Sequence, residues 1–182
     1  MAVEKWAIDS GHSGIHLSVR CMVIARVCGQ FLRWSGSVQA EDGDLCRAAI
    51  DVVIDADSID TGHARRDLRL RSADLLDVAS HPQITFKSRA VTKVDDELMH
   101  VAGDLTIRGE TREVVLEVEY AGQTEDAWGN VRRGFAAKTS IDRKDFGLEW
   151  SQLLESGGLM VGDHVDIEIE VEAIKQVTSQ AA

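Results

Sequence analysis

Val165-Asp166-Ile167-Glu168-Ile169-Glu170-Val171-Glu172 alternates apolar and acidic side chains without a break. In an extended chain successive side chains point to opposite faces. This stretch is therefore a strand with one face in a core and the other in water. A helix would scatter the same residues around its circumference. The pattern recurs upstream. Val114, Leu116, Val118 and Tyr120 alternate with Glu113, Val115, Glu117 and Glu119. Ile15, Leu17, Val19, Cys21 and Val23 alternate with His16, Ser18, Arg20 and Met22. Cys46, Ala48, Ile50, Val52 and Ile54 alternate with Arg47, Ala49, Asp51, Val53 and Asp55. Shorter runs of the same kind cover 27–38, 84–91, 98–107 and 131–141.

Turn signals separate these runs: Glu41-Asp42-Gly43-Asp44, Asp95-Asp96, Arg108-Gly109-Glu110 and Gly129-Asn130. Gly109 and Gly129 read as hairpin tips, because glycine adopts the left-handed backbone that tight hairpins need. Half-buried strands with no helices between them pair antiparallel. An open sheet of eight strands leaves two edges exposed, and closure into a barrel removes them. The expectation is an all-β fold, an eight-stranded antiparallel β-barrel. Two stretches interrupt it. Residues 58–79 lack the alternation and predict a short helical insertion around residues 62–78. Asp60 or Thr61 is its expected cap, and Ser72 is expected to start a second turn. Residues 145–161, with Trp150, Leu153, Leu154, Leu159 and Met160, read as a long, partly apolar connection.

The chain has 182 residues, 44% of them hydrophobic and 28% charged, with a formal net charge of −11. That length suits one domain, taken as 1–176 with a frayed tail over 177–182. The apolar fraction is too high for disorder. No run approaches the roughly 20 apolar residues of a membrane helix. A negative surface repels phosphate backbones, so nucleic acid is not an expected partner. The N-terminal residues lack the basic start and apolar run of a secretory signal, and cytoplasmic placement is the expectation. Cys21, Cys28 and Cys46 form neither a CxxC pair nor an even set, and read as small buried hydrophobes, with a single disulfide between two of them as the alternative.

Eight strands enclose an interior that side chains either just fill or that holds one small ligand. The inward residues are mostly Val, Ile, Leu and Ala, with Phe86 and Phe135 as bulky exceptions. Only 5% of the chain is aromatic, which is a thin filling. A fully packed core or flattened sandwich is the plainer alternative.

Several blocks in order bear a resemblance. Trp6-Ala7-Ile8-Asp9, His12-Ser13 and Gly29-Gln30-Phe31 are followed by Ala56-Asp57-Ser58-Ile59-Asp60-Thr61, Arg66-Asp67 and Leu70-Arg71-Ser72-Ala73-Asp74. Then come His81-Pro82-Gln83-Ile84-Thr85-Phe86-Lys87-Ser88 and Gly103-Asp104-Leu105-Thr106-Ile107-Arg108-Gly109-Glu110-Thr111. Arg143-Lys144-Asp145-Phe146-Gly147 and Val161-Gly162-Asp163 complete the set. Over about residues 6 to 175 the chain resembles the YceI-like family. The resemblance implies a lipocalin-like barrel with a hydrophobic interior, long-chain lipids such as polyisoprenoids, isoprenoid quinones or fatty-acid amides as ligands, and a homodimer. The chain departs from the family pattern at Cys21 and Arg69, where histidine is common. It departs again at Leu75-Leu76, where paired aromatics are usual. These differences bear on head-group preference.

Other constellations carry less. His12 and His16 stand four apart, but no glutamate completes a metalloprotease pattern, and no metal is expected. Ser13 beside His12 lacks the strained elbow that triad chemistry requires. Gly103 to Gly109 lacks a phosphate-binding order before a helix. Arg65, Arg66, Arg69 and Arg71 are the one dense basic cluster, read as a solvated helix face or as a head-group receptor at the barrel mouth with Trp150. The expected function is non-enzymatic binding, transport or sequestration of a long apolar ligand, with no cofactor. That ligand would lie along Leu17, Val19, Ile50, Val52, Phe86, Leu116, Val118, Phe135 and Ile167. The rivals are an enzyme acting on a lipophilic substrate and a filled-barrel interaction module.

Overall fold

The computed structural model describes residues 2–21, 24–149 and 161–177. In chain order the strands are β1 (Val3–Ile8), β2 (Gly14–Cys21), β3 (Ala25–Phe31), β4 (Trp34–Glu41), β5 (Ala48–Asp55) and β6 (Ile59–Asp60). Helix α1 (Ala64–Arg71) follows, then β7 (Gln83–Lys93), β8 (Leu98–Ile107), β9 (Glu110–Glu125), β10 (Val131–Asp142) and β11 (Val161–Lys175). The ladder runs β1-β4-β5-β7-β8-β9-β10-β11 and closes by pairing β11 with β1. This is an eight-stranded antiparallel barrel with one short helix. Strand β2 pairs with β11 along the same edge as β1, farther along its length, and β3 and β6 follow β2 in the sheet.

Eleven strands reduce to eight courses because three courses bend at one level. The sharp turn at 9–13 divides β1 from β2. Leu32 and Arg33 divide β3 from β4, and residues 56–58 divide β5 from β6. Each bend resets which parity faces inward. Ile8 lines the interior before the first bend, and Leu17 and Val19 line it after. Phe31 gives way to Trp34, and Ile54 to Ile59, in the same manner. The bends are set by short polar side chains that bond their own backbone. The Asp9 carboxylate accepts from Gly11 N at 3.0 Å, and that of Asp55 accepts from Asp57 N at 3.1 Å. Two of the bends are stitched together. Arg33 N donates to Ser58 Oγ at 3.0 Å, and Ser58 Oγ donates to the Asp55 carbonyl at 2.7 Å.

Gly109 and Gly129 sit at hairpin tips with φ of 73° and 83°, and Arg108 shares the left-handed region at 51°. The helix starts later than its polar residues suggest. His63 is the cap, accepting from Arg66 N at 3.3 Å. Asp60 instead accepts from Gly62 N at 2.8 Å, one turn too early to cap α1. Ser72 ends the helix, its hydroxyl donating to the Arg69 carbonyl at 2.6 Å, and starts the expected second turn, its carbonyl accepting from Leu75 N at 3.0 Å and Asp77 N at 2.9 Å. The cysteines also depart from expectation. Cys28 and Cys46 are exposed and Cys21 is half-buried; all three are free thiols. Cys28 falls on the outer parity of β3, and Cys46 lies in the turn before β5 rather than in the strand. Met22, Val23, the apolar connection around Trp150 and residues 178–182 lie outside the described residues.

The buried core gathers Ile54, Ile84, Phe86, Val101, Leu105, Ile107, Ile141 and Phe146. Leu75 and Leu76, from the turns after α1, cover it. They are held there by Arg108 Nη1, which donates to the Leu75 carbonyl at 2.8 Å.

Candidate functional site

Inward residues toward the middle of the barrel do not meet across it. Leu17, Val19, Ile50, Val52, Leu116, Phe135 and Ile167 point inward yet are only half-buried, because each faces a cavity of about 680 Å³. Small-molecule sites commonly fall within about 300–1,000 Å³. Phe86 and Val118, also on the wall, are packed more fully. All nine residues that the alternation placed inside line this one cavity.

The lining is apolar except for Cys21, Thr61, Arg66, Arg69, Thr139 and Arg143. Among the described residues it contains no carboxylate, histidine, serine or lysine. Among the described lining residues only Ala25 and Arg69 are exposed, which places the mouth between the β2–β3 turn and α1. Arg66 is anchored there. Its Nε donates to Thr61 Oγ1 at 2.7 Å and its Nη2 to the Thr61 carbonyl at 2.9 Å. Thr61 is fixed in turn by buried Asp67, whose carboxylate accepts from both the backbone N–H and the hydroxyl, at 3.0 and 2.5 Å. Arg69 pairs with Asp74 at 3.2 Å. Burial pushes the Cys21 thiol up, against the opposing pull of the Arg66 and Arg143 charges. A raised thiol is a poor nucleophile at neutral pH.

Arg65, read with the same cluster, is exposed and does not line the cavity. Trp150 lies outside the described residues. Arg143 was missed. It is 4% exposed, and its guanidinium bonds the carbonyls of Gly162, Leu148 and Val161 and lies 3.7 Å from Asp163. The signal was available, since Arg143 continues the inward parity of Phe135, Ala137, Thr139 and Ile141.

A second polar constellation lies on the outer surface, where β1 and β2 part. Asp9, His12 and Glu172 bring potential metal ligands within 4.8 Å of one another. Arg132 occupies that position. Its Nη1 is 2.8 Å from Asp9 and 3.2 Å from Glu172, and its Nε is 2.8 Å from Asp126. The guanidinium, seconded by His12, holds the Asp9 carboxyl down at about 2. These acids are satisfied by a cation of the protein itself. His16 does not join them, because the turn at His12 breaks the strand before His16 begins its outward course on β2.

The YceI-like domain model matches residues 6–173. Protein YceI of Escherichia coli O157:H7 is 36% identical over 168 residues, covering 92% of this chain and 84% of that protein. Burkholderia cenocepacia BcnA superposes with a TM-score of 0.79 at 22% identity, over 91% of this chain and 98% of that one. A polyisoprenoid binding domain from Saccharophagus degradans superposes with a TM-score of 0.70 at 16% identity, over 94% and 98%. The last two establish likeness of fold. The domain match and the Escherichia coli relative establish more: this chain belongs to the YceI-like family.

Proposed function

We propose that the protein binds a long apolar chain inside its barrel, as a non-catalytic carrier or sequestering protein. The observation that carries this reading is the cavity of about 680 Å³, walled by Val, Ile, Leu, Phe and Ala. Burying an apolar chain there is worth roughly 25 cal/mol per Å² removed from water. The structurally similar polyisoprenoid binding domain favours an isoprenoid, and isoprenoid quinones and fatty-acid-like lipids are the further classes the family resemblance implies. Among the described residues the lining offers arginines, threonines and the Cys21 thiol but no carboxylate, histidine or lysine, which favours binding over turnover. In this reading Arg66 and Arg69 receive a polar head group at the mouth, and the protein is a homodimer, as the resemblance implies.

Native mass spectrometry with organic extraction of freshly purified protein tests the proposal. The expected result is a releasable lipid, and a rise in melting temperature when quinone, prenol or fatty acid is added. A lipid-free protein that gains nothing from any of the three overturns it. Arg66→Ala with unchanged lipid retention would remove the head-group role and leave the apolar site standing.

A further inference from the structure

Two elements at the cavity mouth turn one side inward and another out. In α1, Arg66, Arg69 and Leu70 line the cavity. Leu68 is 70% exposed, and Arg65, three positions before it, is exposed on the same side of the helix. The β2–β3 turn repeats the arrangement. Cys21 and Ala25 line the cavity, while Ile24 between them is 92% exposed. Single exposed aliphatics are ordinary on protein surfaces. These two flank the mouth, between its exposed lining residues Ala25 and Arg69.

Charge distinguishes this end of the barrel. Helix α1 carries Arg65, Arg66, Arg69 and Arg71 against the single acid Asp67, in a chain of net charge −11. Asp67 is buried against Thr61. The turns at the opposite end carry Asp42, Asp44, Asp95, Asp96, Glu97, Glu125 and Asp126 against Arg47, Lys93 and Arg132, and so keep an acidic excess. A negatively charged plane would repel that end and attract the helix, turning the mouth toward the plane. Arg69 is paired with Asp74 and Arg71 with Asp57, and Asp60, Asp77, Asp145 and Glu149 stand at the same end, so the attraction centres on Arg65 and the apolar pair has to supply part of the hold.

We propose that Ile24, Leu68 and Arg65 form a docking surface for a lipid bilayer with anionic head groups, setting the mouth against the membrane for loading and release. Aliphatics among basic side chains are the composition of surfaces that rest at the head-group boundary. The proposal rests on the reading of the cavity as a lipid site, since such a ligand has to leave and re-enter a bilayer.

Flotation of the full-length protein tests it, with vesicles of phosphatidylcholine alone and of phosphatidylcholine mixed with phosphatidylglycerol. Binding is expected to the mixed vesicles, weaker to the neutral ones, and reduced by salt. Ile24→Ser with Leu68→Ser should weaken binding by about tenfold or more, at an unchanged melting temperature. Arg65→Glu, wholly outside the cavity, should weaken binding to mixed vesicles and leave the neutral ones unaffected. No flotation with either vesicle overturns the proposal, as does flotation that the paired substitutions leave intact. Light scattering decides one further case. If the paired substitutions dissolve a dimer, the patch is a self-association face and the proposal falls. Vesicle binding is read without reference to retained lipid, so its failure is separate from failure of the extraction experiment.

Discussion

A methyl group on Gly103 would sit 2.5 Å from the Phe86 ring and 2.6 Å from the Lys87 carbonyl oxygen. The ring could swing away, but the carbonyl belongs to the β7–β8 ladder, where Gly103 pairs with Ser88. Glycine is required here by close approach of the neighbouring strand. Gly103→Ala should therefore cost about 1–3 kcal/mol in urea unfolding and, by tilting Phe86 into the cavity, reduce lipid retention. A neutral substitution would mean that the ladder yields more easily than its register suggests. The same scale shows what alternation could and could not disclose. It assigned Leu17, Ile50, Phe135 and their companions because a strand residue's face follows from its neighbours' parity. It left Arg143 and Thr61 aside because a polar residue at an inward position looks, in sequence, like the end of a strand. What keeps Arg143 inside is a set of carbonyl acceptors at Gly162, Leu148 and Val161, two of them more than ten positions away.

The elements were legible as courses but not as strands. The run from 27 to 38 reads as one strand, yet it is β3 and β4 with the inward parity reversed at Leu32 and Arg33. Alternation is blind to such a bend when apolar residues lie on both sides of it. The insertion was visible as lost alternation, and its cap was misplaced because Asp60, Thr61 and His63 all stand before the helix. One clip across elements was not visible at all. Arg132 on β10 ties the bend at Asp9 to Glu172 on β11 and to Asp126 in the β9–β10 turn. Its side chain is 15% exposed, so the pairing is partly shielded from solvent. Arg132→Gln would leave three carboxylates facing one another and should lower the stability read in urea unfolding at neutral pH. The pH dependence has a definite sign. Asp9 is held down at about 2 from an ordinary value of 3.8, first by Arg132 and then by His12. Its contribution is thus complete above pH 3.8 and lost as pH falls through about 2. Asp126 is depressed in the same direction, again chiefly by Arg132. Urea melts of parent and variant should therefore converge as the solution is acidified through that window. A gap that stays constant down to the acid limit would show that the clip works through packing alone.

Across the whole molecule, alternation sorts two chemistries onto two surfaces. Glu117, Glu119, Asp166, Glu168 and Glu170 are exposed on the outer face, and between them Val118, Ile167 and Ile169 face the cavity. The acidic excess accordingly falls on the outer face and leaves the lumen apolar. Whether that lumen is a binding site or merely a loosely filled core is a question about volume, and volume can be changed. Leu17 on β2 and Ile167 on β11 are direct register partners, both half-buried and both facing the cavity. In a core packed to the usual density, enlarging both to Phe would force off-rotamer side chains and cost about 1–3 kcal/mol apiece. Beside a cavity of about 680 Å³ the added carbons instead gain contacts they would otherwise lack. The paired substitutions Leu17→Phe and Ile167→Phe should then leave the melting temperature of lipid-extracted protein unchanged or higher. They should also lower the lipid recovered per protein several-fold, because the space that held it has been filled. The two readouts move in opposite directions only if the space is real and is where the lipid lies. A lower melting temperature would mean that the walls are already in contact. Unchanged lipid recovery with a preserved fold would place the lipid elsewhere than between β2 and β11.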